Sequence, residues 1–199
     1  MKPEEIEETA APALGEPLGI EFCNTRYASR GDVREGLAGA GPLAGWLRAH
    51  AAAFDDGLAE AAVRDLAEID LGRFVALRDA IRALARQAVH GGDPLPEPLA
   101  VVNAAAAAAP RWPYLALTPP MVAEETAAPP VDAVLAAIAR SAIEILGGPQ
   151  RADLRACGGP GCVLFFVKHH PRREWCSSGC GNRARVSRHY ERHRTTRSS

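Results

Sequence analysis

The chain has little of what would place it in or across a membrane. Its longest apolar run, Leu99 to Ala109, is interrupted by Asn103 and is too short to span a bilayer. The opening MKPEEIEETAAPALGEP is acidic and proline-containing, with no basic stretch leading into an apolar one. That argues against a secretory signal and predicts a cytoplasmic protein with no membrane partner. Lysine is scarce, with 2 residues against 21 arginines, and alanine is abundant, a composition expected of a GC-rich bacterial genome. Cysteine is scarce as well: there are 5, of which 4 crowd into residues 157–180 while Cys23 stands alone. Without an export signal, close cysteine pairs favour metal over disulfides.

Net charge is nearly absent, and the total of −1 misleads. Residues 1–150 hold 12 basic and 21 acidic side chains, a net −9. Residues 151–199 hold 11 basic and 3 acidic ones, a net +8, with 4 of the 6 histidines. Such asymmetry predicts an anion-binding unit appended to an acidic body. With 199 residues and 47% hydrophobic side chains, the chain can bury a core without relying on disulfides.

The expected fold is mainly α with a minor β element: a helical N-terminal domain and a small C-terminal treble-clef-like or ribbon-like zinc finger. Residues 1–17 read as a flexible lead-in, 18–148 as the helical domain and 149–199 as the finger with a basic C-terminal helix. In LGIEFCNTRY, Leu18, Ile20 and Phe22 alternate with Gly19, Glu21 and Cys23, predicting a half-buried strand. Asn24 and Thr25 at its end are a candidate ligand site, or a turn or cap for the next segment. Helical period runs from Pro42, over Leu58–Ile69, Arg73–Val89 and Leu99–Ala109, and again over Val131–Leu146. Arg111–Thr118 predicts a short strand or hairpin, and PPMVAEETAAPP a connection. Arg78, Arg82 and Arg86 share a helix face, either solvated and salt-bridged or able to take an acidic ligand.

The cysteine cluster is C-x4-C-x13-C-x3-C, with Cys157, Cys162, Cys176 and Cys180 as ligands. Two short pairs separated by a hairpin can place four thiolates about 2.3 Å from a Zn2+ ion, and a closed four-sulfur site is structural. About forty residues bury too little to fold alone, so the ion would supply folding free energy. VLFFV reads as a strand, KHHPRR as its turn and EWC as the returning strand, with Cys180 opening the last helix. His189-x3-His193 with one cysteine pair is a competing ligand set; a redox pair or unrelated thiols are the remaining readings.

Beyond the last cysteine, Arg185, Arg188, His189 and Arg192 fall on one helix face, beside Val186 and Tyr190. Together with Arg183 and with Lys168, Arg172 and Arg173 in the turn, they form a candidate surface for duplex DNA. A solvated basic tail is the plainer reading. Arg183 and Asn182, in the first turn beside the metal, can equally brace the knuckle. Few aromatic residues flank the arginines, which weighs against single-stranded RNA.

The run Cys180-Gly181-Asn182-Arg183, preceded by Trp175-Cys176-Ser177 and followed by Ala184-Arg185-Val186, closely resembles the CGNR zinc finger. Members of that family carry a helical N-terminal region, the ABATE domain, whose opening strand is similar to LGIEFCNT here, with Asn24-Thr25 at its end. The resemblance is strong over residues 151–194 and weaker over 18–146. It implies a stress-induced transcriptional regulator that binds DNA through the finger. The spacing departs from the family's: three residues, Ser177, Ser178 and Gly179, separate the last two cysteines where four are usual.

No phosphate loop, dinucleotide fingerprint or Ser/His/Asp arrangement is present, so the chain is not expected to be an enzyme. Cys23 reads as a small buried hydrophobe, and His50 and His90 as helix-end residues. The leading reading is a DNA-binding regulator whose N-terminal domain senses a small-molecule effector or oligomerises, with a homodimer in view. The alternatives are an RNA-binding or protein-interaction module, and an enzyme housed in the N-terminal domain.

Overall fold

The computed structural model describes residues 11–29, 31–55, 57–93, 95–117 and 120–196, and within these the side chains of Ala116, Pro120 and residues 191–196 lie outside the description. The described residues are mainly helical with three two-stranded antiparallel ribbons. Helix α1 (Leu18–Cys23) leads into the ribbon β1 (Arg26–Ser29) and β2 (Asp32–Glu35). Helices α2 (Ala40–Ala49), α3 (Leu58–Asp65), α4 (Glu68–His90) and α5 (Pro96–Ala107) come next. A hairpin of β3 (Trp112–Leu117) and β4 (Pro120–Glu125) precedes α6 (Pro130–Gly147). The C-terminal module is β5 (Leu154–Ala156), β6 (Phe165–Val167) and α7 (Ser178–Thr196). Among the described residues, no helix is long and apolar enough to cross a membrane.

The core lies between α4 and α6. Phe74, Leu77, Ile81 and Leu84 of α4 meet Val134, Leu135, Ile138, Ala142 and Ile145 of α6, at the 3.6-residue period that the sequence displays. Pro130 starts α6 where a missing N–H costs nothing.

LGIEFC is a helix and not the expected strand. Alternation over six residues does not distinguish a half-buried strand from a helix buried on every side. Here Gly19 through Cys23 are all buried. Gly19 rests directly on the α6 backbone: a Cβ there would come within 2.6 Å of the Ala142 nitrogen. The Gly19 N–H donates to Ser141 Oγ at 3.1 Å. Glu21 accepts the N–H groups of Leu14 and Glu16 at 2.8 and 2.7 Å, which ties down the segment before the helix. Residues 11–17 therefore depart from the expected flexible lead-in, and residues 1–10 of it lie outside the described residues.

PPMVAEETAAPP also differs from expectation, since its first part is strand β4, paired with β3 from Trp112↔Glu125 to Leu117↔Pro120. Leu115 and Val122 face each other on one side of this hairpin and both are exposed.

Candidate metal centre and basic helix

The third ribbon joins the two parts of the molecule. Successive strand residues point to opposite faces. Leu154, Phe165 and Val167 enter the α4–α6 core, whereas Leu164 and Phe166 pack with Tyr27, Cys157, Cys176 and Cys180. EWC does not return along β6 as expected; β6 pairs with the earlier β5, from Leu154↔Val167 to Ala156↔Phe165. Side chains occupy its other edge. The Phe165 N–H donates to Asn24 Oδ1 and the Asn24 amide donates to the Phe165 carbonyl, both at 2.9 Å. The Val167 N–H donates to Glu16 Oε2 at 2.8 Å, and Arg173 Nη1 donates to the Val167 carbonyl at 3.1 Å. Every ladder group on that edge of Phe165 and Val167 thus finds a partner without a strand.

The four cysteines meet beside this ribbon. Cys157 and Cys162 lie in the knuckle between β5 and β6, Cys176 lies before α7, and Cys180 lies in the first turn of α7. Knuckle, strand and helix in that order make the module treble-clef-like. The sulfurs all lie within 4.8 Å of one another, with Cys162 to Cys176 at 3.8 Å and Cys176 to Cys180 at 3.4 Å. Four sulfurs about 2.3 Å from a tetrahedral centre stand about 3.8 Å apart, so the residues fit a metal ion. Gly159 permits the approach, since a Cβ there would sit 3.3 Å from Cys180 Sγ and 3.5 Å from Cys157 Sγ.

The surroundings suit thiolates. Arg183 Nη2 donates to Cys180 Sγ at 2.9 Å, and the Cys176 N–H donates to Cys157 Sγ at 3.5 Å. Hydrogen bonds from the neighbouring thiols hold Cys157 low, while crowding by those sulfurs, together with burial, pushes Cys162 and Cys176 up. Sulfurs this close cannot all ionise without a cation between them.

The expected nucleic-acid residues fall into distinct settings. Arg185 and Arg188 are exposed on α7, with Arg185 donating to Asn182 Oδ1 and the Arg188 guanidinium 5.7 Å from the Trp175 ring centroid. Arg183, His189 and Arg172 are exposed and Lys168 is half-buried. The side chain of Arg192 lies outside the described residues.

Arg173, expected on the same surface, turns its donors inward. It forms an ion pair with Glu16, donates to the carbonyls of Val167 and Cys176 at 3.1 Å, and lies 4.9 Å over the Phe166 ring. Its donors face inward because β6 and the Cys176 turn offer carbonyls and Glu16 a buried carboxylate. Asn24 and Thr25 are likewise engaged within the protein rather than open to a ligand. Both are 0% exposed, and Thr25 Oγ1 donates to the Phe22 carbonyl at 2.8 Å.

Two residues outside the expected sites matter here, Glu16 and Glu21, and so does Arg82 in a role that its place in the stripe does not show. In the sequence Arg82 is only one member of an arginine stripe. In the fold it donates to the carbonyls of Cys23, Arg26 and Val163 at 2.7, 3.2 and 2.9 Å and lies 5.5 Å from the Phe165 ring centroid. Burial lowers its pKa from the usual guanidinium value. Its stripe neighbour Arg78 is also buried, paired with Glu35 and with Asp79 at 2.9 Å. The i, i+4 spacing reveals the shared face but not that Arg78 and Arg82 are buried while Arg86 stays exposed. Burial pushes the Cys23 thiol up to about 12, as expected of an inert core cysteine.

A family model described as "Putative stress-induced transcription regulator", the ABATE domain, matches residues 16–149. A CGNR zinc finger model matches residues 154–193. No curated protein matches the chain.

Proposed function

The chain belongs to the ABATE family and carries a CGNR zinc finger, and on that premise we propose that it is a DNA-binding transcriptional regulator responding to stress. Zn2+ is held by Cys157, Cys162, Cys176 and Cys180, and its role is structural: the four sulfurs leave no position for water or substrate. The observation that carries the reading is the attachment of an exposed arginine stripe to that centre. Cys180 fixes the first turn of α7, and Arg185 and Arg188 extend from the next turns into solvent. Arg183, His189, Arg192, Lys168 and Arg172 add charge around them. Guanidinium groups on an anchored helix make phosphate contacts and bidentate contacts to guanine edges.

The acidic N-terminal domain senses an effector or oligomerises. Leu115, Leu117 and Val122 are 62%, 76% and 73% exposed on the β3–β4 hairpin, and contiguous exposed apolar surface of this kind marks an association site. A second copy of the chain is the occupant we assign to it, since paired regulators read paired half-sites.

Selection of bound sequences from random duplexes by the zinc-loaded full chain tests the reading. Enrichment of a defined sequence is expected. Failure to retain any duplex above background would refute it.

A further inference from the structure

A cavity of about 510 Å³ lies where the helical body meets the knuckle, a size suited to a small molecule. On the body side it is lined by Arg26 and by Arg82, Arg86 and His90, which succeed one another at i, i+4 and i+8 along α4. On the knuckle side Cys162, Val163 and Phe165 line it, and Val33 of β2 closes another wall. No carboxylate is among the described residues that line it.

The arginines of this cavity face no lining carboxylate, and the anionic group nearest to them in its wall is the sulfur of Cys162. Among the described residues Arg82 is bonded to three carbonyls and to no carboxylate, and the like charges of Arg86 and Arg26 act on it. Glu35, the cross-strand partner of Arg26, is hydrogen-bonded to Arg78, and the Arg26 charge acts on it from across the ribbon. Among the described residues, neither the Arg26 nor the Arg86 guanidinium forms an ion pair, and both residues are exposed. Guanidinium groups converging on a recess with apolar walls provide bidentate recognition of a carboxylate or phosphate together with a dry surface for its substituent.

We infer that this cavity binds a small organic anion, its charged head held by Arg26 and Arg86 and its apolar part laid against Val33 and Val163. A recess of this volume admits a small molecule, whereas the ridge of phosphates on a duplex is convex. Because one wall comes from the body and another from the knuckle, an occupant bridges the two modules. The inference is independent of duplex binding by α7.

The test is calorimetric titration of the zinc-loaded full chain with phenyl phosphate, and with benzyl alcohol as its neutral counterpart, in wild type and in R26Q/R86Q. Both side chains are exposed, so the double variant should keep the thermal midpoint of the ligand-free protein; the single variants Arg26→Gln and Arg86→Gln serve if it does not. Saturable binding of one phenyl phosphate per chain is expected, with none of benzyl alcohol. Loss of the charged hydrogen bonds should weaken it about tenfold or more in the double variant. No saturable binding to wild type, equal affinity in the variant, or equal binding of benzyl alcohol would overturn the inference. So would a loss of duplex affinity in R26Q/R86Q without phenyl phosphate binding, which would assign the cavity to nucleic acid.

Discussion

Asn24 and Phe165 are 141 residues apart in the chain, and they pair as two strands would. One amide side chain donates to and accepts from one peptide unit, with both distances 2.9 Å. The helical body thereby completes a strand of the metal module. Glu16 and Arg173 repeat the device at Val167, and Arg82 links the end of α1 to Val163. The finger is held on the body by buried polar links as well as by Phe165 and Val167 in the shared core.

Replacing Asn24 by Ala should leave the Phe165 N–H and carbonyl buried and unpaired. At about 1–3 kcal/mol for each such group, the expected loss of stability is about 2–6 kcal/mol. Urea denaturation of zinc-loaded protein measures it; a loss within experimental error would show that the pairing is dispensable.

Arg173 and its neighbour Arg172 should separate stability from binding. Arg173→Ala leaves Glu16 buried without its partner, at a cost of about 3–5 kcal/mol. Arg172→Ala removes an exposed charge and should leave stability unchanged while weakening duplex binding. The opposite pattern would return Arg173 to the binding surface.

Cys23 gives a pH signature. Its folded-state pKa of about 12 lies above the ordinary 9.0, so the folded form binds more protons between those values. Stability from this group is fully present below pH 9 and is lost as pH rises toward 12. Cys23→Ala should flatten that part of the stability profile relative to wild type. Identical profiles would mean the thiol is not shielded.

Removal of zinc by a chelator should expose the amides of β6 and α7 to hydrogen exchange and also loosen α1, because Asn24 and Arg82 bond to β6 and the knuckle. Retained protection throughout residues 151–196 would contradict a structural metal.

The proposed dimer is tested by sedimentation. L115D/V122D should shift a dimer to monomer, since both side chains are exposed and face each other on one side of the hairpin. A wild-type chain that sediments as a monomer at high concentration would remove the assignment.

The cysteine spacing and the periods of α4 and α6 are legible in the sequence because ligand spacing and helix faces are local patterns. The knuckle, the last helix and the position of Cys180 can be deduced from them. Helix α1 is not legible, since a six-residue helix with five residues buried carries no usable period. Nor is the role of Arg173, which looks like one more member of a basic turn until Glu16 and the β6 carbonyls are placed around it. Asn24 stands out by its position at the end of LGIEFC, but its partner is a peptide unit far along the chain, and no local signal encodes that.

The measurement that tests the account most directly is the affinity of the zinc-loaded full chain for duplex DNA as a function of salt, in wild type and in R185A/R188A. Each phosphate neutralised adds about 0.9 to the magnitude of the slope of log affinity against log salt. The account predicts affinity falling steeply with salt in wild type, and a slope shallower by about 1–2 with weaker binding in the variant. Equal affinities and slopes in the two proteins would contradict a DNA-binding α7.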